Sequence, residues 1–263
     1  ADALKKLTSD VLPSSVGYSN VGVGNNNVIF GEYLTSIGNY NFGVGQHSVS
    51  IGNNVNGGFC SAWKGLASSS LLSIINDIES GDGWDKWSDS IKKCFDGEVL
   101  RNEVTTQFSV AIGDYSSSGG HNSTALGAYA TSGGLKSTAL GSSSNASAQG
   151  AVAIGHNSAA AGENSIAIGS YTSATCANSF ILGAGAIANG DAAGAIGYMA
   201  NTQGTDAMAI GVQACAINTN ASAIGTNATA SGVNSMAFGA NSRAYGSNST
   251  AIGAQSFADQ TNS

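Results

Sequence analysis

The chain has 263 residues, of which 37 are glycine and one is proline; charged residues make up 10% and the net charge is −7. Nine basic residues leave no electrostatic footprint for a nucleic-acid partner, one proline excludes collagen, and so low a charge does not suit a solvated disordered chain. No apolar run reaches the roughly 18 residues that a membrane-spanning helix needs. Much of the 42% hydrophobic content is alanine, with aromatics at only 7%. A chain of such small side chains cannot build one thick core and must bury itself by repetition.

In chain order, residues 1–16 read as an N-terminal cap, because Leu4, Leu7 and Leu12 within the Ala1–Pro13 segment suit a short capping helix. Residues 17–52 carry glycine at 17, 24, 31, 38, 45 and 52, a strict period of seven, with Val23, Phe30, Ile37, Val44 and Ile51 before them. This is a β-roll written in half-units, about two and a half coils long.

The phase then breaks, since Gly52 and Gly113 are 61 residues apart. Residues 53–108 are therefore an insertion. They hold all three tryptophans, Trp63, Trp84 and Trp87, and 13 of the 25 charged residues. Leu71, Ile74, Ile75 and Ile78 have helical spacing, with Gly81 as a stop. Asp82 suits the cap of a second helix bearing Trp84, Trp87, Ile91 and Phe95 on one face. The reading is a helical hairpin lobe closed by a Cys60–Cys94 disulfide, a bridge that stabilises such a lobe by about 3–4 kcal/mol. The tryptophans read as the core of that lobe or, alternatively, as its candidate ligand contacts, roles that one Trp can combine.

From Ser109 to the end, glycines at 113, 127, 141, 155, 169, 183, 197, 211, 225, 239 and 253 keep a period of 14. Before them stand Ile112, Leu126, Leu140, Ile154, Ile168, Leu182, Ile196, Ile210, Ile224, Phe238 and Ile252, all large and apolar. Seven of the eleven half-way slots are again glycine. A helix also returns to one face after 14 residues, but glycine costs a helix about 1 kcal/mol each. Two short strands joined by tight Gly/Asn corners fit better, with each coil stacked on the next at about 4.8 Å. In a unit such as Asn164-Ser165-Ile166-Ala167-Ile168-Gly169, Ser165 and Ala167 share one face while Ile166 and Ile168 share the other. A coil has one interior, so the second face needs another cover. A continuous isoleucine and leucine column exceeds what a soluble monomer leaves exposed, and the simplest cover is another copy of the chain.

The Asn-Ser-x-Ala-Ile-Gly units at 122–127, 164–169, 234–239 and 248–253 resemble the YadA-like heads of trimeric autotransporter adhesins. The resemblance spans about 155 residues at the C-terminal side, residues 109–263. It implies an all-β, left-handed parallel β-roll and a homotrimer with the eleven apolar residues in its interface or core. It also implies display on the outer membrane of a Gram-negative bacterium, with adhesion to a host extracellular-matrix protein, a host-cell receptor or the same adhesin on sister cells. The closing residues, Phe257 to Ser263, look like the run-in to a neck.

Chemistry finds little purchase. His47, His121 and His156 are isolated, no Cys-x-x-Cys occurs, and Gly-x-Gly at 22–24, 43–45 and 183–185 is imposed by the repeat. The reading is therefore not an enzyme, with no cofactor and no metal. Asn-x-Ser/Thr triplets at Asn122, Asn220 and Asn227 follow from the repeat too. Cys176 and Cys215 lie nearly three coils apart, roughly 13 Å, too far for a disulfide, and read as two small buried thiols. The other classes weighed are a phage-fibre-like or passive spacer and an ice-binding solenoid, the last disfavoured by mixed rather than threonine-regular outward slots.

Overall fold

The computed structural model describes residues 13–16, 20–24, 27–39, 41–53, 55–57 and 108–263. Among these residues there is no helix; every regular element is a parallel strand of a β-solenoid. The chain divides into two compact units, Ala1–Tyr129 and Ala130–Ser263.

In the first unit the strands alternate between two sheets. One sheet orders Pro13–Val16, Asn27–Glu32, Phe42–Gln46, Asn56–Gly57 and Ser117–Ser118; the other orders Val21–Val23, Thr35–Asn39, Val49–Asn53, Val110–Ile112 and Thr124–Leu126. The register steps by 14, as in Val21↔Thr35↔Val49, and then by 61, Val49↔Val110. The ladder thus closes over the intervening segment without a slip. It also runs further at both ends than glycine phase alone indicates. Pro13 pairs with Asn27, so Pro13–Val16 belongs to the roll rather than to a cap, with proline at the first strand position, where a missing N–H is tolerated. Asn56–Gly57 pairs with Ser117–Ser118, so the roll continues five residues into the stretch 53–108. The capping helix over Ala1–Pro13, the helical lobe, Trp63, Trp84, Trp87 and the Cys60–Cys94 bridge fall outside the described residues.

The second unit alternates three-residue and two-residue strands, such as Ile166–Ile168 and Ser173–Ala174, with a register of 14 throughout. Its interior is nearly all alanine. Ala153, Ala160, Ala167, Ala174, Ala188 and Ala195 are 0% exposed. With so narrow a gap between sheets, only Ala, Ser or Thr fits across most rungs, and Ile181 is the large exception.

The corners explain the glycine and asparagine periods. Each long strand ends in a glycine at φ near +130°, for example Gly169 at +134°, where a Cβ would stand 2.7 Å from the carbonyl oxygen of Gly183 in the next coil. Two residues later one residue takes the left-handed conformation, and the same recurs every seven residues; asparagine holds many of these positions, which it tolerates best after glycine. The next residue is a buried Ser, Thr or Ala. Where it has a hydroxyl, that group often donates back to the corner carbonyl, as Ser158 does to Gly155 at 2.9 Å and Thr172 to Gly169 at 3.0 Å.

Candidate interaction surface

On every long strand of the second unit the middle residue points inward and its neighbours point out. In Val152–Ile154, Ile166–Ile168 and Met208–Ile210 the central alanine is buried and both flanking side chains reach the surface. Cross-strand pairing puts Leu140, Ile154, Ile168, Leu182, Ile196, Ile210, Ile224, Phe238 and Ile252 in one column. Leu182 is 53% exposed, Phe238 49% and Ile252 68%. In the first unit Ile112 pairs with Leu126 in the same way, and Val23, Ile37 and Ile51 lead into Ile112 on that ladder. All eleven residues expected to form the interface thus occupy one outer face of their unit. Of the N-terminal contributors Val21 and Val23, 51% and 54% exposed, only Val23 is marked in the sequence, as the apolar residue before a seven-spaced glycine; that spacing does not say which sheet a strand joins.

The column is shaped as well as apolar. Gly194 sits on a long strand where other coils carry a side chain, and a Cβ there would be 2.4 Å from the Phe180 ring. The missing side chain leaves room for that ring to lie flat along the face.

The outer face of the short strands differs. Its column runs Asn145, Ala159, Ser173, Ile187, Asn201, Cys215, Thr229, Arg243 and Phe257. This mixture offers neither a regular threonine lattice nor an apolar strip. Near its end Tyr245 and Phe257 meet edge to face at 5.5 Å beside Arg243.

The corners add polar and aromatic ladders. Asn220, Asn234, Asn248 and Asn262 pass side-chain amide hydrogen bonds of 3.0–3.1 Å from coil to coil. Inside the first unit, Asn27 and Asn41 are buried. Each donates to a strand carbonyl, Val23 or Ile37, and accepts from a backbone N–H one coil on, that of Asn41 or Val55.

The histidines are corner residues rather than a constellation. His47 stacks between Tyr33 and Phe108, while His156 meets Tyr171 edge-on and bonds Asn157. The described residues hold no group of three His, Cys, Asp or Glu fit for a metal. Cys176 and Cys215 are not joined, and both are half-buried rather than fully buried, because corners and outer slots lie at the surface. Cys176 donates to the Asn189 carbonyl at 2.9 Å, and burial pushes the Cys215 thiol up, away from its reactive thiolate form.

Comparison with known families matches the chain to the YadA head domain repeat, over residues 107–130, 132–158, 146–172, 188–214, 216–242 and 244–263. No curated protein matches the chain as a relative.

Proposed function

This chain belongs to the YadA head domain family, and from that premise we propose that it is the adhesive head of a homotrimer displayed on the outer membrane of a Gram-negative bacterium. Heads of this family are surface-exposed passengers with an adhesin-type role. The observation that carries the trimer is the apolar column. Its residues are large and apolar, yet a single chain leaves Leu126, Leu140, Leu182, Phe238 and Ile252 exposed and the other six half-buried, while its interior is nearly all alanine. A soluble molecule covers such a strip, and three equivalent strips facing one axis cover one another. Sedimentation of the wild-type chain should give three chains, and a well-folded monomer would overturn the proposal.

Binding is assigned to the surfaces left outside that axis. The short-strand face recurs in every coil, so a trimer offers many weak, similar contacts to matrix protein, receptor or sister head. The insertion is the non-repetitive part of the sequence, with Trp84 and Trp87 as its candidate contacts, which suits one defined receptor.

A further inference from the structure

Rings are unevenly shared among the corners. In the first unit the described non-glycine residues with left-handed backbone are Tyr33, His47, Phe108, Tyr115, Asn122 and Tyr129, five rings in six positions. In the second unit there are seventeen such residues, of which nine are asparagine and Tyr171 is the one ring. An aromatic side chain is a poor occupant of this conformation, which asparagine tolerates far better. Local geometry therefore does not explain the concentration.

Their placement does. Tyr33, His47 and Phe108 precede the long strands Thr35–Asn39, Val49–Asn53 and Val110–Ile112; they stack at 4.8 Å with interplanar angles of 7° and 12°. Tyr115 and Tyr129 follow the long strands Val110–Ile112 and Thr124–Leu126, and stack at 5.0 Å and 4°. The two stacks are therefore the two flanks of the apolar strip formed by Ile37, Ile51, Ile112 and Leu126. Both are bare in one chain, with Tyr33, Phe108, Tyr115 and Tyr129 between 52% and 59% exposed.

Around a threefold axis, each protomer's leading flank must adjoin the next protomer's trailing flank. We propose that the Tyr33–His47–Phe108 stack of one protomer packs against the Tyr115–Tyr129 stack of the next, sealing the three seams of the assembly at the N-terminal unit. This rests on the homotrimer reading above. Its occupant is a second copy because the rings continue the strip that the second copy already covers. The seam tolerates an axial offset of one coil in one direction. Phe108 and Tyr115 bracket one strand, His47 lies one coil before and Tyr129 one coil after, so an offset that brings Tyr115 to His47 also brings Tyr129 to Phe108, while the opposite offset brings Tyr115 to Asn122.

The test places p-benzoylphenylalanine at Tyr115, with Asn145 on the short-strand face as the control site, and irradiates protein whose sedimentation is measured in parallel. A covalent dimer or trimer from position 115 alone, with its cross-link mapped to a peptide bearing His47 or Phe108, is the expected result. A trimer by sedimentation that yields no inter-chain product at 115 overturns the seam and leaves the trimer standing. A monomer by sedimentation overturns the trimer reading beneath it. The double variant Tyr115→Asn, Tyr129→Asn supplies a second readout. Asparagine relieves the backbone, so a purely local role predicts unchanged or stronger assembly. The seam predicts a trimer that dissociates at least about tenfold more readily, at the usual strength of aromatic pairs over three seams.

Discussion

Replacing Ile168 and Ile210 by aspartate should separate the chains without unfolding them. The magnitude follows from the exposed apolar side chains on the long-strand face of the second unit, in the column and beside it. Leu140, Ile166, Leu182, Met236, Phe238 and Ile252 are 39–68% exposed. Full burial of such a side chain is worth about 2 kcal/mol, so each has about 1 kcal/mol still to gain. Six per chain in three chains give roughly 18 kcal/mol, enough to offset the lower range of the about 4–15 kcal/mol lost at each of two association steps. The double variant sets three carboxylates around the axis at each of two levels. Desolvating an ion costs several kcal/mol, so six of them remove most or all of that gain. The single chain should survive, because both isoleucines lie half-buried on the outer face while the buried Ala167 and Ala209 beside them fill the interior. Sedimentation velocity should report one chain in place of three, with the far-ultraviolet dichroism of the wild type. Asn145→Asp with Thr229→Asp, on the opposite outer face, should remain trimeric. Aspartates at 168 and 210 that leave a trimer would refute the placement of this column at the axis.

Gly169→Ala should cost about 2–5 kcal/mol, combining left-handed strain with a clash against the Gly183 backbone; Gly253→Ala shares the positive φ but meets nothing within 4 Å, and equal losses in thermal melting would deny the clash. Ser158→Ala should lower stability by about 1 kcal/mol by deleting its bond to Gly155. Ser165→Ala should be neutral or stabilising, since that buried hydroxyl has no partner, and a melting-temperature loss like that of Ser158→Ala would contradict it. Exchanging residues 58–107 for a three-residue turn like Gly119-Gly120-His121 should keep the Val49↔Val110 register and the trimer while abolishing receptor or cell binding. Full-strength binding would make the insertion a passenger, and peptide mapping of the intact chain should find Cys60 linked to Cys94.

The roll was legible because its constraints are local and repeat. Gly169 needs a backbone that side chains rarely adopt, Ala167 needs a gap one methyl wide, and Ile168 needs a neighbour; each leaves its mark every 14 residues. The boundaries were less legible. Pro13–Val16 ends in the apolar-glycine pair Val16-Gly17 but adjoins Leu4, Leu7 and Leu12, which favour a cap, and Asn56–Gly57 lacks that pair; pairing with a neighbouring rung decides their conformation. The buried Asn27 and Asn41 escaped notice for a different reason. In a Gly/Asn-rich chain an asparagine reads as a corner, and only the geometry shows these two bonding across coils inside the roll. The ring stacks were hidden too, since a corner accepts many residue types and the sequence does not say that Tyr33, His47 and Phe108, 61 residues apart at the last step, stand one above another.

The distribution of side-chain size ties assembly to function. Alanine gains little from burial and loses no rotamer freedom, so a coil of this roll is held chiefly by its backbone ladder and its small interior. The larger aliphatic gain lies on the face that one chain cannot cover. In the proposed trimer, association would add the stability of burying that face to a roll that already folds as a single chain. Covering that face in such a trimer also fixes what remains outside: three copies of each short-strand slot, repeated at the coil spacing. Contacts that are individually weak then act at high effective concentration. A small-residue solenoid with few charges can hold a surface by number where no single site would suffice.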